Sequence, residues 1–455
     1  MRTNDTPPRR SRRRSLRTAL PVVLATVLAS CGAPGGQSPL SDTPTSVSTS
    51  IGDTPVTLDV LVSTPDVPLY EALGDAFHSR HPEVTVQVTG EDFSSLTTNV
   101  PRLISGTDVP DLVRLASFGN LVKDRLLTNL DPYAEAYGWT EWPQSQFAST
   151  RVGDDGRQRG TGHLYGAGPG FGLTGIYYNT ALAAQIGMTE PPATLAAFEE
   201  SLAKAKDAGL LPMMVNGKDG GLAYPLQNLQ MNLAGSTEVV QDWNFNKPGA
   251  NIDTPALVDA AATLQSWSEE GYLPKDVNSI DQTQAPARFA EGEGVFFPSG
   301  NWQAPTLQQT GRDEIGFFLF PPEEAGDPFT AMTAAGVLAI PTTSDQRDVA
   351  AAFLNFIQTD DDARQSTLDL LGLPPAGPAD AALPDSEPGS LVAGTVESFQ
   401  KLLESDGLVD FMSNSTASMH ANTLIPQTQL LVAGKTSPAE FSAAIQGDYE
   451  DEAEK

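Results

Sequence analysis

The apolar positions of this chain change period several times, and each change marks an element. Val56 to Val62 is a short β-branched run, the pattern of a buried strand. Leu69, Leu73, Ala76 and Phe77 then recur at helical spacing, and the dipeptide His81-Pro82 stops that helix. Val84, Val86 and Val88 alternate, as the inner face of a half-buried strand does. Strand, helix and strand in that order predict a βαβ unit with parallel strands and a right-handed crossover. Further strands are predicted at 110–115, 295–297 and 336–340, and helices at 195–208, 255–270 and 349–358. Ser437-Pro438-Ala439-Glu440 is a capping box that opens a last helix. The acidic residues 448–454 read as its frayed, solvated end. This alternation predicts an α/β fold with mostly parallel sheets.

At 455 residues the chain is too long for one core, so two domains are expected. The formal net charge of -30 and a pI near 4.3 argue against nucleic acid as a partner, since neutralising phosphates requires clustered Lys and Arg. The charge is unevenly spread. Residues 1–30 hold seven arginines and one aspartate, so the rest of the chain is more acidic than the total implies. That first segment has a basic start, an apolar stretch at 19–29 too short to span a bilayer, and then Leu28-Ala29-Ser30-Cys31-Gly32. It reads as a signal peptide (1–30). Residues 31–55, rich in Ser, Thr, Pro and Gly, read as a flexible tether with a reach of roughly 25–30 Å.

Several motifs carry no chemistry here. Gly170-Phe171-Gly172-Leu173-Thr174-Gly175 matches a dinucleotide fingerprint in letters but precedes a strand, where that fingerprint must follow one. His78 and His81 lack a third ligand, and one cysteine makes neither an intrachain disulfide nor a Cys-rich zinc site. No cofactor or metal is expected. Trp139, Trp142 and Trp267 read as packing residues, while Trp243 fits a cleft rim or a surface anchor equally well.

The cysteine sequence resembles a bacterial lipobox, which implies lipidation of Cys31 and a membrane anchor. Ser11 to Arg17 also resembles a twin-arginine export signal, and the general secretory route fits as well. Over residues 56–449 the order of segments resembles the extracytoplasmic solute-binding proteins of ABC importers, in the carbohydrate-binding group that includes maltose-binding protein. The resemblance rests on Leu69-Tyr70-Glu71-Ala72-Leu73, Pro110-Asp111-Leu112, Leu130-Asp131-Pro132-Tyr133, Gly175-Ile176-Tyr177-Tyr178-Asn179, Phe289-Ala290-Glu291-Gly292, Gly300-Asn301-Trp302 and Ala335-Gly336-Val337.

It implies a two-lobed periplasmic-binding-protein fold of type II, with crossings near Ala167–Gly172, Phe317 and Leu373–Gly377. Lobe 1 would be 56–167 plus 317–372, and lobe 2 would be 168–316 plus 373–455. It also implies a non-enzymatic, monomeric, extracytoplasmic receptor that delivers a sugar, oligosaccharide or polyol to an ABC permease. A secreted carbohydrate-active enzyme and a sensor of the same fold are the alternatives. The ligand contacts implied are Ser63, Thr64, Asp66, Ser117, Phe118, Phe171, Tyr224, Asn301 and Trp302. An aromatic plane covers the C–H face of a pyranose, while Asp, Asn and Ser bind its hydroxyls. Where the group's best-known member has a glutamate on the crossing strand, Gly172 stands here, so the solute itself is left open.

Overall fold

The computed structural model describes residues 42–115, 117–310, 314–405, 407–416 and 418–453. Signal peptide, Cys31 and the start of the tether lie outside the described residues. The described residues form one compact unit, and none of their helices is long and apolar enough to cross a membrane.

Two sheets organise it. The first has the order β10-β3-β1-β2: β10 is Leu338–Ala339, β3 Leu112–Arg114, β1 Val56–Ser63 and β2 Val84–Glu91. β1 pairs in parallel with β2 and β3, the predicted βαβ arrangement with helix α1 (Val67–Arg80) as the crossover. Leu58, Val60 and Val62 point to one face of β1 and meet Leu69, Leu73 and Phe77 of α1 in the first core.

The second sheet is mixed. Its long central strand β6 (Phe171–Asn179) pairs antiparallel with β7 (Phe296–Gly300), β8 (Ile315–Phe318) and β9 (Ala331–Ala335), and β9 pairs in parallel with β11 (Leu408–Asp410). Helices Leu195–Asp207, Ala223–Ala234 and Pro255–Glu269 cover it, with Phe198, Leu226 and Leu264 in the second core.

Because β8 and β9 both belong to the second sheet, the second crossing is not near Phe317. It lies where the chain leaves Ala335 on β9 and reaches Leu338 on β10, so residues 317–335 stand with lobe 2. The strand predicted at 336–340 shrinks to two residues for the same reason: its start is the crossing itself.

The three crossings lie side by side. Ala167 and Leu338 exchange backbone hydrogen bonds (3.1 and 2.9 Å), and Gly336 donates to the carbonyl of Gly170 at 3.1 Å. Phe171 donates to Pro374 and Ala376 to Pro169, both at 2.9 Å. The first crossing is thus central and paired on both sides. The spacing leaves no room for side chains: a Cβ on Gly170 would sit 2.6 Å from the carbonyl oxygen of Pro374. Asn301, fully buried, ties the junction together. Its Oδ1 accepts from Leu173 N at 2.9 Å, and its Nδ2 donates to the carbonyls of Phe171 (3.1 Å) and Gly372 (2.8 Å).

Three further expectations change. Residues 42–55 do not all behave as tether: Val47 and Ile51, the apolar residues of that stretch, pack against the first core, and Asn129 donates to the carbonyl of Asp42. Trp243 is neither rim nor surface anchor but fully buried, its ring stacked on Tyr449 at 4.7 Å. That contact also holds the acidic C-terminus in a helix running from Pro438 to Ala453.

Asn301→Leu would orphan the Leu173 N–H and remove a donor from two buried carbonyls. A loss of about 3 kcal/mol in urea-unfolding free energy is expected. A loss under about 1 kcal/mol would mean the crossings hold without the clip.

Candidate functional site

The carboxyl ends of β1 and β3 open onto a cleft between the two sheets, where a switch in strand order leaves space for a ligand. The cavity there is about 160 Å³. Its first-lobe wall carries Ser63, Asp66, Tyr70, Phe93, Arg114 and Phe118; its second-lobe wall carries Asp219, Tyr224, Trp302, Phe411 and His420. Gly172 and Gly336, from two of the crossings, form its floor.

Trp302 owes its position to two glycines. A Cβ on Gly300 would overlap the indole, and one on Gly172 would stand 3.3 Å from it. The ring therefore lies against the bare backbone of β6 and β7. Tyr224 meets it edge-on (5.9 Å, 69°), and Phe411 completes the cluster at 6.2 Å from each. This is an apolar wall of three rings that presents both ring faces and edges.

Opposite it stands a polar group. Ser63 donates to Asp66 at 2.6 Å, and the Arg114 guanidinium lies 3.7 Å from the same carboxylate. Burial raises the Asp66 pKa, while Arg114 and Ser63 hold it down. Arg114 also donates to the carbonyl of Leu115 and lies 5.9 Å from the ring centre of Phe93. On the far wall burial raises the Asp219 pKa, against hydrogen bonds from Gln282 N and the Asn216 amide. These groups can bind hydroxyls by donating and accepting, while the rings cover an apolar face.

Of the residues implied by the sequence, Ser63, Asp66, Phe118, Tyr224 and Trp302 line this cavity. Four do not. Thr64 is exposed beside Gly90. Ser117 faces a smaller adjoining pocket with Thr97, Val100 and His420. Phe171 turns its ring away onto Phe399 (5.6 Å, 18°) because neighbours on a strand alternate, and Gly172 takes the cleft side. Asn301 is spent on the crossings, and its neighbour Trp302 points to the cleft.

Tyr70, Phe93, Arg114, Asp219, Phe411 and His420 were missed. Arg114 was legible as the last residue of a parallel strand, the end at which ligands bind. Asp219, Phe411 and His420 come from loops and a π-helical turn (Met419–Leu424) that no local pattern marks.

A two-lobed binding protein with its site at the crossing strands is the class this geometry defines. The profile described as bacterial extracellular solute-binding protein matches residues 63–364, and the chain belongs to that family. It is therefore an extracytoplasmic protein. No curated protein matches its sequence.

Solved structures share the fold at low identity. A chitin oligosaccharide binding protein superposes with a TM-score of 0.72 at 19% identity, covering 89% of this chain and 100% of the other. The bacterial solute receptor AcbH, which has an exclusive substrate preference for β-D-galactopyranose, gives 0.72 at 18% (88% and 99%). RafE in complex with raffinose gives 0.68 at 18% (87% and 99%).

His420 gives the cleft a pH dependence. Its ring meets Phe93 edge-on at 5.4 Å, is 8% exposed, and has no partner for Nε2. Burial lowers its pKa from 6.5 to about 4, against a smaller opposing effect of Asp92. The unfolded chain therefore binds the proton first, and stability falls as pH drops from about 6.5 towards 4. The buried carboxyls of Asp66, Asp111 and Asp219 act in the opposite direction, so the comparison must be made between proteins. Relative to His420→Gln, wild type is expected to lose roughly 2–3 kcal/mol between pH 7.5 and 4.5 in urea denaturation. Parallel pH profiles would show that the imidazole is not held neutral.

Proposed function

We propose that this protein captures an uncharged carbohydrate outside the cell and hands it to an ABC permease, without catalysing a reaction. The observation that carries the reading is the ring wall of Trp302, Tyr224 and Phe411 facing the hydroxyl-binding group Ser63, Asp66 and Arg114 across one cleft. A pyranose needs both: an aromatic plane for its C–H face and paired donors and acceptors for its hydroxyls. The cations of the cavity already have carboxylate partners, which favours a neutral solute over an anionic one.

Size narrows the class. A cavity of about 150 Å³ holds one benzene ring, and drug-sized ligands fill roughly 300–1,000 Å³. At about 160 Å³ this cleft suits one sugar ring better than a chain of them. The similar structures named above include receptors for single sugars and for oligosaccharides, so the size of this cleft is the observation that supports the narrower reading. Solute contacts on both lobes exist only when the cleft is closed, so binding shifts the hinge towards closure. Acylation at Cys31 would keep this monomeric receptor beside its permease.

Thermal denaturation of residues 40–455 with monosaccharides, oligosaccharides, polyols, amino acids and peptides tests the reading. A monosaccharide is expected to raise Tm. A rise only with amino acids or peptides would overturn the carbohydrate assignment, and a rise only with oligosaccharides would overturn the single-ring limit. For the sugar identified, Trp302→Ala is expected to weaken binding at least tenfold by calorimetry, about 1.4 kcal/mol. Unchanged affinity would remove Trp302 from the site.

A further inference from the structure

A second, smaller space adjoins the cleft, and one helix face shapes it. Thr97, Val100 and Pro101 stand at i, i+3 and i+4 of the helix Phe93–Ile104, so they share a face, and that face borders a recess of about 20 Å³. Leu115 and Leu121, both buried, line it as well. The Thr97 hydroxyl donates to the carbonyl of Ser94 at 3.0 Å, within its own helix. This part of the lining is therefore apolar in effect.

The recess and the cleft meet along Arg114, Leu115, Ser413 and His420, which border both. Three buried atoms of the lining residues have no hydrogen-bond partner among the described residues: Arg114 Nε, Ser117 Oγ and His420 Nε2. Arg114 Nε stands 3.7 Å from the Asp66 carboxylate, beyond hydrogen-bond distance. Thr416, by contrast, accepts from Met419 N at 3.2 Å. One ring sets two of the three residues. Phe93 carries the Arg114 guanidinium 5.9 Å from its centre and meets the His420 ring at 5.4 Å. A Cβ on Gly220 would stand 2.7 Å from His420 Cε1, so the imidazole is seated against bare backbone. A buried polar atom without a partner is costly, and three around one recess point to a small polar group that meets them.

We propose, resting on the carbohydrate reading above, that this recess receives the exocyclic hydroxymethyl group of a hexose and makes the cleft select hexoses over pentoses. One water-sized group needs about 10–15 Å³ on this measure. At about 20 Å³ the recess admits a single hydroxyl or methyl and no second ring. A methyl would cover Val100 and Leu121 but meet none of the three polar atoms. An acetamido group carries two heavy atoms beyond its carbonyl carbon and exceeds the space. A hydroxyl fits and answers the polar atoms: its oxygen accepts from Arg114 Nε–H, and its hydrogen is donated to Ser117 Oγ or His420 Nε2. A pentopyranose has hydrogen where the hexose has CH₂OH, so it leaves the recess to water. Ser117, outside the main cavity, is thereby a specificity residue.

Calorimetric titration with three matched pairs tests the assignment: D-galactose and L-arabinose, D-glucose and D-xylose, D-mannose and D-lyxose. Each pentose is its hexose without the hydroxymethyl group. In a pair that binds, the hexose is expected to bind at least about tenfold more tightly. Ser117→Val removes the hydroxyl and adds bulk to the recess, and is expected to bring that ratio close to one. A merely structural role for Ser117 would leave the ratio unchanged, since partial unfolding affects both sugars alike. Circular dichroism establishes that the variant is folded; if it is not, Ser117→Ala and the wild-type ratio decide. Equal or tighter binding of the pentose, or an unchanged ratio in the folded variant, would overturn the recess assignment and leave the carbohydrate reading standing. Binding of none of the six sugars would overturn it together with the single-ring reading.

Discussion

Everything at the cleft is referred to one backbone junction, where three crossing segments run within hydrogen-bonding distance and the central one bonds to both others. That closeness excludes side chains, which is why Gly168 and Gly170 face the Gly336 and Pro374 backbones. The same junction then extends into the site. Gly172, two residues past Gly170, faces the cleft and forms the shelf on which Trp302 lies, while Asn301 turns inward and ties the strands beneath it. One tripeptide, Gly300-Asn301-Trp302, thus supplies clearance, clip and ring. A change at any of the three reaches both hinge and site.

The electrostatics follow a similar economy. The chain is strongly acidic, yet its cleft is not a field of free carboxylates. Asp66 is matched by Arg114 and Asp410 by Arg159, and Asp219 is met by an amide and a backbone N–H. Buried charges must be paired or hydrogen-bonded to be tolerated. What remains for binding is ring surface and the residual lone pairs and donors of these groups.

The sequence carried the elements better than the site. Period-two and helical spacing located β1, α1 and β2 within a few residues, and the capping box at Ser437 is present, with Ser437 Oγ and Glu440 Oε2 at 2.8 Å. Strand pairing was less legible. Nothing local tells that Ile315–Phe318 pairs beside β6, so the second crossing was expected some twenty residues early. At the site, residues at strand ends were found, because topology alone puts them there. Phe171 and Asn301 fell to the opposite face from their neighbours, a distinction of one residue that composition does not encode. His420 and Asp410 reach the cleft only through the return of the C-terminal segment, a contact set by tertiary packing.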